Sequence, residues 1–333
     1  MNMEHSPAHK KVLKSTHEVP EFNKGEVKTE KFDIDGRVVE LESKEFSPRH
    51  EVPKDEAVIF LTGWAAGDAK TLEYLTGCFA AEAENTALQI RTSTEGAHAE
   101  ALKLEARAIA EVIKKRALKH ITLTSHSQGG TKAANLIAIL QREMPEVEIR
   151  GLILMDPVGL YEQAPLHITK AFAKDSLIST PTMVAANLLT GNAKTGRFKL
   201  LRRALQAGND ILFNIMLEVA NSRLDYLAKL RSQISALGAT NENYRAVKCP
   251  VVLVQGRYDP VSDREKVLPS DQDPKNLTER SEILKDTFFP NSPRVDMLIP
   301  ERLGHHGLPH FRPEEIARVS LYLLKREERR NKS

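Results

Sequence analysis

The chain has 333 residues, of which 48 are basic and 45 acidic, and its formal net charge is +3. This near balance argues against a nucleic-acid-binding protein, which usually gathers a strong positive excess on one face. The two cysteines, Cys78 and Cys249, lie far apart in the sequence, so we expect no disulfide framework and a cytoplasmic location. No segment has the character of a signal-peptide core or a transmembrane helix, so we expect neither.

The first elements predicted along the chain are an arm and a hairpin. Residues 1–26 are polar and contain two prolines, which predicts a mobile N-terminal arm. Residues 27–34 and 38–46 alternate in polarity on either side of Asp35-Gly36, a dipeptide typical of two-residue hairpin turns. An antiparallel ribbon is therefore expected to open the fold.

Six short apolar runs follow, and each has the character of a buried strand. They occupy residues 57–61, 86–90, 121–124, 151–155, 250–254 and 295–299. Stretches with apolar residues at helical spacing lie between several of these runs, most clearly at 99–119 and 131–142. Strands that are apolar on both faces and alternate with helices predict an α/β fold, in which helices cover both sides of a mostly parallel sheet.

Residues 161–245 interrupt this alternation. They contain helix-like segments, including several between residues 200 and 237, and no convincing strand pattern. A helical insertion between two sheet strands is typical of a cap, or lid, over a substrate pocket, and a helical subdomain without a gating role is the alternative. The predicted division is a core of residues 27–160 and 246–333 with a helical cap at 161–245.

Ser127 lies at a predicted strand-to-helix turn, in the sequence Ser125-His126-Ser127-Gln128-Gly129. A nucleophilic serine on such a turn needs small residues two positions before and two after it, because the turn brings those positions into close contact. Ser125 and Gly129 meet this requirement. Ser125 itself is a poorer nucleophile candidate, because Leu123 two positions before it is too large. The pattern predicts Ser127 as the nucleophile, and an ordinary turn with a capping serine is the alternative.

Two residues further along the chain could complete a catalytic triad. A serine hydroxyl needs a base to take its proton and a carboxylate to hold that base in the right tautomer. Asp259 follows the predicted strand 250–254, at the edge where open α/β sheets build their sites. His305 lies in a glycine-bounded loop after the last predicted strand and is the expected base. His306 is the alternative base, and Asp156, which also follows a strand, is the alternative acid.

The site would also need backbone amides that stabilise an oxyanion. One donor is expected to be the amide of Gln128, the residue after the nucleophile. The second is expected to be the amide of Trp64, in the loop after strand 57–61, where Gly63 allows the backbone to approach closely. We predict no metal site and no cofactor, because no carboxylate stands at a familiar ligand spacing from the only histidine cluster, which includes His305 and His306.

The order Ser127, Asp259, His305 resembles the triad of the α/β-hydrolases, and the insertion lies where the lid-bearing members of that superfamily carry their helical cap. Thr62 stands where the family has a histidine before the oxyanion-loop glycine, and Ser125 replaces the first glycine of the nucleophile turn. The resemblance implies a cofactor-free serine hydrolase that cleaves a carboxylic ester or related acyl compound through an acyl-enzyme. A serine at this position disfavours dehalogenase and epoxide-hydrolase chemistry, which uses an aspartate there.

Two other functions remain open at this point. An acyltransferase would use the same triad, with an alcohol or thiol in place of water as the acceptor. A non-catalytic member of the fold would use the pocket to bind a small ligand or a partner protein. The expected partner is a small-molecule acyl substrate, and the sequence makes no prediction of its chain length or of the oligomeric state.

Overall fold

An eight-stranded sheet forms the centre of the fold. The computed structural model describes residues 21–63, 70–94, 98–175, 178, 239–257, 259–268, 277–300 and 313–325. The strands are β1 (Asn23–Ile34), β2 (Arg37–Ser47), β3 (Glu56–Leu61), β4 (Thr86–Thr94), β5 (His120–His126), β6 (Glu148–Met155), β7 (Val251–Val254) and β8 (Val295–Leu298). Their spatial order is β1-β2-β4-β3-β5-β6-β7-β8. The β1–β2 and β2–β4 pairs are antiparallel, and the other pairs are parallel.

The helices connect and cover these strands. They are α1 (Lys70–Ala83), α2 (His98–Lys115), α3 (Gly129–Glu143), α4 (Pro165–Lys174), α5 (Arg264–Val267), α6 (Leu277–Phe288) and α7 (Pro313–Leu324). Successive residues of β3 point into different core clusters. Ile59 packs in a cluster that includes residues of α2 and α3, and Phe60 packs in one that includes residues of α1 and α7. The prediction of a mostly parallel sheet covered on both faces is confirmed.

The opening hairpin has the predicted turn. Ile34 pairs with Arg37, and the two residues between them, Asp35 and Gly36, have φ angles of 55° and 77°. Positive φ at both central positions is typical of a type I′ turn, whose twist matches the flanking strands. The first strand begins at Asn23, so residues 23–26 belong to the sheet and not to the predicted arm. The alternating pattern missed them because their side chains are exposed and they join the sheet by backbone pairing.

The strand order changes direction at β3. β4 lies on one side of β3, and β5, the next strand along the chain, lies on the other side. In open α/β sheets such a reversal leaves a crevice at the carboxyl ends of the central strands, where ligands bind. Gly63, which follows β3, and Ser127, which follows β5, therefore lie at this crevice.

The predicted helical insertion falls between β6 and β7. Its described part contains α4 and a 3₁₀ turn at Glu242–Ala246. The helices predicted between residues 200 and 237 lie outside the described residues, as does most of the arm at 1–26, so the cap and the domain division remain predictions.

In the part of the chain that the structure covers, no helix is long and apolar enough to cross a membrane. Cys78 and Cys249 are both free and buried.

Side-chain amides attach the returning end of the insertion to α3. Asn135 is buried, and its Oδ1 accepts hydrogen bonds from Nδ2 of Asn241 at 3.1 Å and from Nδ2 of Asn243 at 2.8 Å. The backbone N–H of Asn241 donates to the carbonyl oxygen of Gly159 at 2.7 Å. One buried acceptor therefore holds two donors at the base of the insertion.

We expect Asn135→Ala to lower the free energy of unfolding by about 2 kcal/mol, because it leaves two amide donors without their shared acceptor. Urea denaturation followed by circular dichroism measures the change. Asn291→Ala, which removes an exposed hydrogen bond to the Arg245 carbonyl, is the matched control and should cost less than about 1 kcal/mol. Equal stability losses in the two variants would contradict the anchoring role of Asn135.

Candidate active site

Ser127 lies on a sharp turn between β5 and α3. Its φ angle is +55°, in the left-handed region that few residues other than glycine adopt. Its N–H donates to the carbonyl oxygen of Met155 at 2.9 Å, and its own carbonyl oxygen accepts from the N–H of Gly130 at 3.0 Å. Hydrogen bonds to β6 and to α3 thus hold the backbone of this serine in a strained conformation, which is the geometry that a nucleophile elbow requires.

Two glycines lie so close to neighbouring backbone that a side chain would not fit. A Cβ atom added to Gly129 would lie 2.2 Å from the carbonyl oxygen of Leu61, at the end of β3. A Cβ atom added to Gly63 would lie 2.9 Å from both the Cβ of Ser127 and the carbonyl oxygen of His126. The loop after β3 therefore lies directly against the serine, as the predicted oxyanion loop must.

Ser125 occupies the position where the resemblance would place a glycine. It is a fully buried residue of β5, paired with Leu61 of β3 and Leu154 of β6. It is not among the residues with positive φ, so its Cβ fits an ordinary strand conformation. Its hydroxyl has no hydrogen-bond partner among the described residues. Ser125 is therefore a small packing residue of the strand.

The predicted oxyanion donors are placed only in part. Gln128 follows Ser127 directly, is buried and has helical angles of −60° and −22° at the N-terminus of α3. Its amide thus belongs to a helix end where backbone N–H groups and the helix dipole favour negative charge. Trp64, His305 and His306 lie outside the residues that the structure describes. The second donor and the base remain predictions from the sequence.

Asp259 lies in the loop after β7, close to the carboxyl edge of the sheet. Its side chain is buried, and Oδ1 accepts a hydrogen bond from the N–H of Val261 at 2.7 Å. Its own N–H donates to the carbonyl oxygen of Gly256 at 3.2 Å. These bonds fix the loop in which the predicted acid stands.

Asp156, the alternative acid, lies beside Asp259. It follows β6, is fully buried and has a positive φ of 44°. Its Oδ1 accepts from the N–H of Gly256 at 2.7 Å, and its side chain lies within hydrogen-bonding distance of that of Asp259. Burial raises the pKa of the Asp156 carboxyl well above its usual range, and the charge of Asp259 raises it further. Asp259 is the acid predicted from the sequence and Asp156 its alternative, and the structure brings the two together.

A third buried aspartate, Asp175, follows α4 and lies near enough to Asp156 for its charge to act on that carboxyl group. Its charge also raises the pKa of Asp156. The sequence analysis missed Asp175, because a charged residue after Lys174 at a helix end is typical of a solvated terminus. Within the described residues, no group of three His, Cys, Asp or Glu side chains could hold a metal ion. The arrangement therefore joins a strained serine on one loop with buried carboxyl groups on neighbouring loops.

Comparison with known proteins identifies the fold. No protein-family model matches the sequence, and no curated protein matches it. A membrane phospholipase A, described as a bacterial virulence factor, is 18% identical, covers 92% of this chain and 87% of its own, and has a TM-score of 0.53. A proline iminopeptidase from Mycobacterium smegmatis is 13% identical over 91% of this chain and 100% of its own, with a TM-score of 0.51.

The esterase rPPE is 16% identical over 94% of this chain and 84% of its own, with a TM-score of 0.51. At these identities the similarity concerns the fold alone. The chain has the α/β-hydrolase fold, which confirms the fold class expected from the sequence.

We expect Ser127→Gly to be more stable than Ser127→Ala by about 1 kcal/mol, because the left-handed conformation is costly for any residue with a Cβ atom. Both variants lack the hydroxyl, so the difference isolates the backbone strain. Urea denaturation measures both free energies of unfolding. An alanine variant as stable as the glycine variant would contradict the strained turn.

At Gly129, we expect alanine to lower the free energy of unfolding by more than about 3 kcal/mol, because the new Cβ would collide with the backbone of a central strand. Gly25→Ala is the control, since its Cβ would lie 3.3 Å from its nearest neighbour, the carbonyl oxygen of Glu45. Thermal unfolding of the two variants provides the comparison. Wild-type stability of Gly129→Ala would show that the turn is not closely packed against β3.

Proposed function

We propose that this protein is a serine hydrolase that cleaves a carboxylic ester or a related acyl compound through an acyl-enzyme intermediate. The observation that carries the proposal is the conformation of Ser127. Strained backbone conformations cost about 1–3 kcal/mol each and cluster at functional sites. Ser127 is held at positive φ at the carboxyl edge of the sheet, where the strand order reverses. This is where open α/β sheets bind their ligands, so its hydroxyl is placed to meet a substrate.

In the proposed reaction, Oγ of Ser127 attacks the carbonyl carbon of the substrate while His305 takes its proton. His305 then gives this proton to the departing alcohol, and Asp259 holds the imidazole in the required orientation. A water molecule then attacks the acyl-enzyme while His305 takes its proton, and His305 returns this proton to Oγ of Ser127 as the acid product leaves. The amides of Gln128 and Trp64 stabilise the negative charge on the carbonyl oxygen in both tetrahedral intermediates. No cofactor takes part in these steps.

Two observations support the assignment of roles beyond the serine. Gly63, directly after β3, comes so close that a Cβ atom added to it would lie 3.5 Å from Oγ of Ser127, which supports an oxyanion role for the loop that begins there. Asp259 follows β7, two strands from the serine's strand, in the chain order of the α/β-hydrolase triad. The proteins with this fold include an esterase, a phospholipase and a peptidase, so hydrolysis of an acyl bond is a reaction that this fold supports.

Labelling with a fluorophosphonate probe tests the nucleophile. We expect the wild-type chain to react, Ser127→Ala not to react, and Ser125→Ala to react like the wild type, because the buried hydroxyl of Ser125 takes no part. Peptide mass spectrometry locates the adduct. Labelling that persists in Ser127→Ala, or a folded wild type that stays unlabelled, would overturn the proposal.

Turnover of p-nitrophenyl esters of increasing acyl length tests the remaining roles. Replacing Ser127 or His305 by alanine should lower kcat by about a millionfold, and replacing Asp259 by less. His306→Ala is the matched control for the base. If His306→Ala is inactive while His305→Ala turns over the ester, the assignment of the base is wrong.

Products formed with added alcohols or thiols in place of water would indicate an acyltransferase.

A further inference from the structure

Asp156 and Asp259 form a contact that two ionised carboxylates could not hold. An ionised carboxylate only accepts hydrogen bonds, so two such groups within hydrogen-bonding distance repel each other unless one carries a proton. Asp156 and Asp259 are both buried and bind the same residue: the N–H of Gly256 donates to Oδ1 of Asp156 at 2.7 Å, and its carbonyl oxygen accepts from the N–H of Asp259 at 3.2 Å. Their carboxyl groups are close enough to interact, and a proton on one of them removes the repulsion.

The hydrogen bonds around the pair indicate which carboxyl carries the proton. Oδ1 of Asp156 accepts from the N–H of Gly256 at 2.7 Å. Its Oδ2 is buried and receives no hydrogen bond from a donor among the described residues. Asp259 likewise accepts one backbone hydrogen bond, from the N–H of Val261 at 2.7 Å, but neither of its carboxyl oxygens is a buried atom without a hydrogen bond. Asp156 is thus the group with an oxygen available to carry the hydrogen.

The charges that face Asp156 favour the same assignment. Asp259 approaches from the loop after β7 and Asp175 from the end of α4, and both raise the pKa of the Asp156 carboxyl, which burial has already raised. The predicted base, His305, belongs to residues 301–312, outside the described part of the chain.

We propose that Asp156 is a positioning residue for the catalytic acid: its protonated Oδ2 donates a hydrogen bond to Asp259 and fixes that carboxylate toward the base. The pair then carries one negative charge, as a single triad acid does. The proposal rests on the function proposed above. It explains why a strained and fully buried aspartate stands at the end of β6, directly beside the strand that carries the nucleophile.

Infrared spectroscopy tests the proton directly and without any catalytic readout. The difference spectrum between wild type and Asp156→Asn at neutral pH should contain the carbonyl stretching band of a protonated carboxylic acid. Asp286→Asn, a change at an exposed site on α6, should give only the bands of an ionised carboxylate. Absence of the protonated band from the Asp156 spectrum would overturn the proposal.

The pH dependence of stability gives a second test. Because the pKa of Asp156 is higher in the folded chain than in the unfolded chain, unfolding releases its proton, and the stability it contributes falls as the pH rises. Above the ordinary carboxyl pKa, the folding equilibrium constant of the wild type should therefore fall about tenfold per pH unit relative to that of Asp156→Asn. The two constants are compared from about pH 5 to pH 7. A constant ratio, or one that rises with pH, would contradict the proposal.

Kinetics with p-nitrophenyl acetate test the positioning role. Asp156→Ala should lower kcat by about a hundredfold with little change in KM, because Asp259 loses the donor that orients it. Asp156→Asn should recover most of this loss, since its amide can donate to Asp259 and accept from Gly256. Asp259→Asn should be far more impaired than Asp156→Asn. If the asparagine variant is as impaired as the alanine variant, or the order of the two asparagine variants is reversed, Asp156 is not the protonated partner.

These outcomes separate the two proposals. If the fluorophosphonate does not label Ser127 but the infrared band and the pH dependence are present, the hydrolase function fails and the carboxyl pair stands. If labelling occurs and the band is absent, only the role of Asp156 fails. Should Asp156→Ala not fold, the two asparagine variants and the infrared spectrum still decide the question.

Discussion

The architecture of the site depends on the close backbone packing at the carboxyl edge of the sheet. The end of β3 leaves no room for a side chain at Gly129, and the loop that follows β3 leaves none at Gly63. β6 holds the same turn from the other side, through the hydrogen bond between the N–H of Ser127 and Met155. Three neighbouring strands thus determine where the Ser127 hydroxyl lies. A group positioned by the sheet is held more accurately than one on a free loop, and catalysis needs that accuracy.

Electrostatics at this edge follow from the same geometry. The loops after β6 and β7 bring Asp156 and Asp259 together, and Asp175 adds a third carboxyl from α4. Burying several carboxylates without compensating charge is costly, and a protein commonly avoids the cost by keeping one of them protonated. Asp156 also has a positive φ of 44°, so two strained residues follow adjacent strands. Of the five non-glycine residues with positive φ in the described part of the chain, two therefore lie at this edge of the sheet, beside the buried carboxyl groups.

The sequence predicted the fold well where a physical signal is local. Buried parallel strands are continuous apolar runs, and the Asp35-Gly36 turn requires positive φ angles that few residue pairs accept, so both could be recognised. The start of β1 was missed because backbone pairing of exposed residues leaves no hydrophobic pattern. The contact between Asp156 and Asp259 could not be predicted, because it depends on the alignment of β6 with β7, strands separated by the long insertion. The small residues around Ser127 predicted its turn because they are a direct consequence of close packing.

Ser127 is proposed to form a covalent bond with the acyl group of its substrate. Trapping this intermediate tests the claim most directly: the full chain is mixed with p-nitrophenyl acetate, quenched in acid within the first turnover and digested for peptide mass spectrometry. We expect one acetyl group, on the peptide that contains Ser127, and we expect it to accumulate with a burst of p-nitrophenol. An acetyl group on a different residue, or ester turnover with no acetylated peptide at any time, would contradict it.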